Sequence, residues 1–133
     1  MFFDTNVLVY CTDSLTPSKQ NTARRLVADA GIQGMAVTST QVLIELFNVL
    51  TRKQKIPVEA AQELVMAHTA WPIVHSDLAL VQAAMEKAKQ HRFSIWDAMV
   101  IEAALRAEAQ TLYTEDLAHG QQFGKLTVVN PFQ

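Results

Sequence analysis

Four acidic residues interrupt or close apolar segments of this chain. Asp4 ends Met1-Phe2-Phe3, and Glu45 splits Val42-Leu43-Ile44 from Leu46-Phe47. Asp97 stands between Ile95-Trp96 and Ala98-Met99-Val100-Ile101, and Asp116 closes Thr111-Leu112-Tyr113-Thr114-Glu115. A carboxylate beside a core must be paired, hydrogen-bonded or bound to a cation, because an unpaired buried charge is very costly. None of the four segments carries a lysine or arginine as an obvious partner. If the acids converge, a hard divalent cation is their natural counter-charge, since Mg²⁺ and Mn²⁺ prefer oxygen ligands. Two such ions about 3.5–4 Å apart can activate water and stabilise the leaving oxygen of a phosphodiester. The chemistry this points to is metal-dependent phosphodiester hydrolysis.

The elements that must position these acids alternate between short strands and helices. Phe2-Phe3 opens a strand, and Thr5–Tyr10 is ambiguous between strand and helix. Thr16-Pro17 has the form of an N-cap followed by proline at the first helical position. That helix should run to about Ala30, with Ala23, Leu26, Val27 and Ala30 on one face. Met35–Thr38 is a short apolar strand. Thr38 and Gln41 have capping-box spacing, so a helix starts near Ser39 and continues to about Lys53. Pro57 starts another, with Val58, Ala61, Leu64, Val65 and His68 on one side. Pro72–His75 is a brief strand, and Ser76 or Asp77 caps a helix carrying Leu78, Val81, Met85 and Ala88. Ser94 and Asp97 repeat the capping-box spacing for a helix to about Ala109. Leu112–Thr114 and Leu126–Val129 complete the strands. The pattern predicts one α/β domain over residues 1–133 with a mainly parallel sheet. In open sheets of this kind, sites form outside the carboxyl ends of strands, where Asp4 and Asp116 fall.

Each acid also has a structural explanation. Asp4 could cap the segment after the first strand. Asp97 could be the third residue of a capping box. However, Glu102 and Arg106, spaced i,i+4, read as a solvent stripe, and Asp97 projects about 140–180° away from it. Glu45 shares a narrow polar stripe with Gln41, Asn48 and Arg52 on an otherwise apolar helix, and the stripe could face solvent or a cleft. Asp116 could cap a short helix over Leu117-Ala118-His119, and Glu115 competes with it for any role.

Composition narrows the field. With 133 residues and half of them hydrophobic, the chain can build a sizeable core. The single Cys11 argues against a disulfide framework and for a reducing, cytoplasmic setting. No apolar run approaches the roughly 18 residues of a membrane span. The net charge of −2 is not that of a generic nucleic-acid binder. The clusters Arg52-Lys53-Lys55 and Lys87, Lys89, His91, Arg92 read mainly as cations complementing helix C-termini. His68, His75, His91 and His119 show no zinc-like spacing. There is no phosphate-binding glycine loop and no GxSxG elbow. Cys11 reads as packing. Trp71 and Trp96 read as core or interface, Trp96 fixing the helix entry, although one could stack on a base.

Taken together, Phe3-Asp4-Thr5-Asn6-Val7-Leu8, Ser39 to Leu50, Ser94 to Val100 and Tyr113-Thr114-Glu115-Asp116-Leu117 resemble a PIN domain. Within that family the chain is most similar to the VapC-type ribonuclease toxins. The resemblance implies about five strands in a mainly parallel sheet flanked by helices. It implies a Mg²⁺- or Mn²⁺-dependent endoribonuclease, using one or two ions, that acts on single-stranded or structured RNA as the toxin of a type II toxin–antitoxin pair. It implies Asp4, Glu45, Asp97 and Asp116 as catalytic metal ligands, with Glu115 in reserve and Asn6 and Thr114 in support. His119 falls where some relatives carry another acid. A homodimer and a site-blocking antitoxin are also implied. The alternatives are a silent PIN-fold module that binds RNA or protein, and a phosphohydrolase using Asp4 as nucleophile. Asn6 stands where many such phosphatases carry a second acid.

Overall fold

The computed structural model describes residues 1–133. Phe2 and Phe3 form β1, and both are wholly buried. Apolar residues flanked by neighbours on both edges read as a central parallel strand, and β1 is one. It pairs in parallel with β4 (Thr111–Tyr113), matching Phe2 to Leu112 and Phe3 to Tyr113. On its other edge, Phe2 bridges in parallel to Val37, just before β2 (Thr38–Ser39). β2 pairs in parallel with β3 (Ile73–Val74), and β4 pairs in parallel with β6 (Leu126–Val129). The strands therefore run 3-2-1-4-6-5. Five are parallel, as the alternation predicts, and β5 (Gln122–Phe123) is an antiparallel edge strand. β5 has no counterpart in the expected elements. A positive φ of 61° at Gly124 turns it back onto β6.

Strand order reverses beside β1, and that is where α/β sheets open a crevice. Thr5–Tyr10 resolves as helix α1, capped by Asp4, whose Oδ1 accepts the Thr5 amide at 2.7 Å. α2 (Pro17–Ile32) buries Ala23 and Ala30 as expected. α3 (Thr40–Arg52) follows β2 directly and buries Val42, Leu46 and Leu50. α4 (Val58–Met66) leads through a 3₁₀ turn, Ala67–Ala70, to β3. α5 (Leu78–His91) packs against α6 (Ile95–Arg106), which returns the chain to β4.

Several expectations are corrected. The Thr38–Gln41 capping box does not form. Ser39 caps α3 through the Val42 amide, while the Thr38 hydroxyl donates to the Phe3 carbonyl. The buried positions of α5 are Leu80 and Ala84, and Leu78 and Met85 are exposed. On α4, Ala61 and Val65 are buried, whereas Val58 and Leu64 are exposed. Glu102 and Arg106 are not a solvent stripe pairing with each other. Glu102 pairs with Lys87 at 3.4 Å and Arg106 with Asp77 at 2.9 Å, both across to α5. Lys87 is thus a helix-packing cation, not merely a solvated helix end. Residues 115–117 form bends and a turn follows at 119–120, so there is no helix for Asp116 to cap. No helix is long and apolar enough to cross a membrane.

Candidate active site

The ends of β1 and β4 lie side by side, so Asp4 and Thr114, the residues that follow each strand, become neighbours although 110 positions apart. Asp4 is 5% exposed. Its Oδ2 accepts the Thr114 hydroxyl at 2.8 Å. Thr114, fully buried, in turn accepts the Asn6 side-chain amide at 3.1 Å and the Asp116 backbone amide at 3.1 Å. Asn6 also donates to Asp116 Oδ2 at 3.0 Å. A hydroxyl has one proton and two acceptor sites, and here all three are used. The chain Asp116–Asn6–Thr114–Asp4 therefore joins an exposed acid to a buried one.

Glu45 and Asp97 approach from the helices. Gln41, one turn before Glu45 on α3, donates to Glu45 Oε1 at 2.7 Å and to the Trp96 carbonyl at 3.3 Å. Asp97 stands in the first turn of α6, whose N-cap Ser94 accepts the Asp97 amide at 3.1 Å. The polar stripe of α3 thus faces a cleft. Glu45 and Asp116 line an opening of about 790 Å³ together with Asn6, Tyr10 and Lys53. Asp4 lies beneath this wall.

The electrostatics show that the four acids share one field. Burial pushes the Asp4 carboxyl up to about 7 against the lowering effect of its Thr114 and Thr5 hydrogen bonds, and the charges of Asp116 and Glu45 raise it further. Glu45 is raised by burial, opposed by Gln41, and raised again by Asp97 and Asp116. Asp97 is raised by burial, opposed by Ser94, and raised by Asp116. The charge of Asp116 therefore reaches the other three. Glu115 is turned elsewhere: it pairs with Lys19 at 3.1 Å and accepts the Tyr10 hydroxyl at 2.6 Å.

The donor chemistry fits a hard cation. The groups bonded to the four acids are neutral amides and hydroxyls, and none of the four has a lysine or arginine within salt-bridge distance, although Lys53 lines the same opening. Two buried acceptor-capable oxygens beside the acids, Thr5 Oγ1 and Gln41 Oε1, have no hydrogen-bond partner. No three acidic, histidine or cysteine side chains close into a ready-made ligand cage. The arrangement is an open acidic field whose repulsion a cation would relieve.

Other singled-out residues have local roles. The His119 ring Nδ1 accepts the Asn130 amide at 3.0 Å. Cys11 is half-buried, and burial pushes its thiol up to about 11, consistent with packing. Trp71 packs near Phe3 and His68. Trp96 is 62% exposed, so it is not the packing residue expected at the helix entry. Sequence reasoning missed Gln41 as the link between Glu45 and α6, although its i−4 position pointed that way. Lys53, from the basic cluster that follows α3, also lines the opening with Glu45.

The crevice lies at the carboxyl ends of β1 and β4. The family model for the PIN domain matches residues 1–121, and the chain belongs to that family. Among solved structures it is similar to VapC20 of Mycobacterium tuberculosis, described as a Sarcin-Ricin loop cleaving toxin. That match has a TM-score of 0.70 and 23% identity over 86% of this chain and 90% of that one. A toxin–antitoxin complex from Klebsiella pneumoniae matches with a TM-score of 0.68 and 16% identity, over 98% and 96% of the two chains. VapBC2 of Rickettsia felis, bound to a promoter DNA fragment, matches at 0.64 and 18%, over 96% and 95%. No curated protein matches the sequence directly.

Proposed function

We propose that this protein is a Mg²⁺- or Mn²⁺-dependent endoribonuclease that hydrolyses single-stranded RNA, acting as the toxin of a type II toxin–antitoxin pair. The observation that carries the reading is the shared acidic field of Asp4, Glu45, Asp97 and Asp116, without a basic partner, at the sheet crevice of a PIN domain. The RNA-cleaving and toxin–antitoxin descriptions of its structural neighbours support the substrate and the biological setting.

In this reading Asp4 and Asp97 would anchor the cation, and Glu45 and Asp116 would complete its surroundings. When bound there, such an ion would supply Lewis acidity for phosphodiester hydrolysis. Thr114 holds its hydroxyl proton on Asp4 Oδ2, which keeps that carboxylate oriented. Asn6 holds Asp116 to the same hydroxyl. Gln41 fixes the Glu45 carboxylate against α6. Orienting partners of this kind matter nearly as much as the ligands themselves. A homodimer and an antitoxin partner belong to the same reading. The exposed apolar residues Leu64 and Met66 of α4 provide surface for one of them.

The test is cleavage of a mixed single-stranded RNA with and without Mn²⁺, by wild type and Asp97→Asn. Mn²⁺-stimulated cleavage that disappears in the variant is the expected result. Wild-type protein that binds Mn²⁺ but leaves every RNA intact would replace the nuclease with a silent binding module.

A further inference from the structure

Trp96 is not explained by the fold. Ser94 caps α6 and Ile95 packs against the core, so the helix entry is secured without the indole. Yet a large aromatic ring beside a candidate ligand is left 62% exposed. An open cavity of about 570 Å³ adjoins it, walled by Ile44 and Met99 on its apolar side and by Asn48 and Ser76 on its polar side. Ile44 is itself 69% exposed. Glu45 lines both this cavity and the main cleft. The buried Gln41 amide ties Glu45 to the Trp96 backbone carbonyl, so the acid is held next to the backbone that carries the indole.

From this we infer that Trp96 and Ile44 form a nucleobase subsite for the RNA strand, next to the acids. The inference rests on the ribonuclease reading and adds to it the place of one base. Three observations select a base as the occupant. The cavity lining contains no lysine or arginine, so it is not a phosphate pocket. The exposed Trp96 and Ile44 side chains line the same opening and give it an apolar, aromatic surface, and every base has a face that can stack on such a surface. The Asn48 amide at the rim offers both donor and acceptor to a base edge. Because Glu45 is common to both openings, a strand whose phosphate lies at the acids delivers a neighbouring base to this surface. Splayed-out bases stacked on aromatic side chains are the usual way single-stranded RNA is held.

The experiment uses a mixed-sequence RNA hexamer in EDTA, where binding is read without cleavage. Trp96 emission is taken as the difference between wild type and Trp96→Phe. The hexamer should quench that difference signal saturably. Trp96→Ala should weaken binding about tenfold or more, whereas Trp96→Phe should stay within about threefold. An abasic site at one position of the hexamer should reproduce the Trp96→Ala loss. Unquenched emission, or unchanged binding by Trp96→Ala, overturns the subsite. So does a loss of binding that merely follows dissociation of a dimer in sedimentation, which would assign the indole to a second copy of the chain. Quenching by RNA that Mn²⁺ never causes to be cut would retain the subsite and remove the nuclease. Cleavage untouched in Trp96→Ala would do the reverse.

Discussion

Removing the Asp4 charge should stabilise the metal-free protein, and increasingly so as pH rises. Burial holds this carboxyl at about 7 in the folded protein against 3.8 ordinarily. The folded state thus keeps a proton that the unfolded chain gives up. The stability this confers is fully present below about pH 4 and is lost as pH climbs toward 7. At about 1.4 kcal/mol for each pH unit, the whole displacement is worth about 4 kcal/mol. The portion lost between about pH 5 and pH 8 is about 2–3 kcal/mol. Asp4→Asn has no such proton to lose. It forfeits the Thr114 hydrogen bond, a roughly constant penalty of about 1 kcal/mol, but it escapes the pH-dependent part. Glu45 and Asp97 titrate in both proteins and largely cancel in the comparison.

The assay is thermal unfolding of wild type and Asp4→Asn in EDTA across that pH range. For a chain of this length, about 2–3 kcal/mol corresponds to roughly 8–10 °C. The Tm of the variant relative to wild type should therefore rise by that amount from pH 5 to pH 8. A difference that stays flat with pH would refute the argument, because it would mean that Asp4 ionises in the fold at no cost. The variant should at the same time lose metal-stimulated cleavage, which separates stability from function at one residue.

Further outcomes follow from the same geometry. Mn²⁺ at about a hundred times its Kd should stabilise wild type by about 2.7 kcal/mol at pH 8 and leave Asp4→Asn nearly unmoved, as read by the same melts. Thr114→Val should lower cleavage or Mn²⁺ affinity about 10- to 100-fold, with Thr114→Ser restoring most of it; equal loss in both would show that the hydroxyl is not the relevant group. Asp116→Asn should lose cleavage while Glu115→Gln keeps it and costs under about 1 kcal/mol of stability, since the Lys19–Glu115 pair is partly exposed. Lys53→Gln should weaken RNA binding and flatten its salt dependence by about 0.7 in the log–log slope, measured by titration at several ionic strengths.

Much of the site was legible because its parts are local. A strand that ends in an acid reads the same in sequence and in space, as Asp4 does. Ser94 three residues before Asp97 announced a cap, and that cap forms. The apolar surround of Glu45 announced a mostly buried helix. What escaped depends on what one helix meets in another. Leu78 and Leu80 are equally apolar in sequence, and only the tertiary fold leaves Leu80 buried and Leu78 exposed. Glu102 and Arg106 have ideal spacing for each other but find closer partners across the interface. Gln41 has capping-box spacing from Thr38. However, the Thr38 hydroxyl is drawn to the β1 carbonyl, which frees Gln41 to reach Glu45. Trp96 looked like packing because tryptophan usually buries, and neither type nor spacing reveals that nothing covers it.

The same tertiary placement explains why the acids tolerate one another. Thr114 has a single proton to give and directs it to Asp4, while the Asn6 and Asp116 amides occupy its acceptor sites. Rotating that hydroxyl away would leave buried donors without an acceptor, at about 1–3 kcal/mol. The network therefore fixes Asp4 in its orientation even though its neighbours' charges disfavour its ionised form. Parallel pairing of Phe3 with Tyr113, whose rings stack at 5.3 Å, brings the two ends of the network together. The hydrogen bonds to its two oxygens therefore set the orientation of the Asp4 carboxyl without help from any of the other three acids.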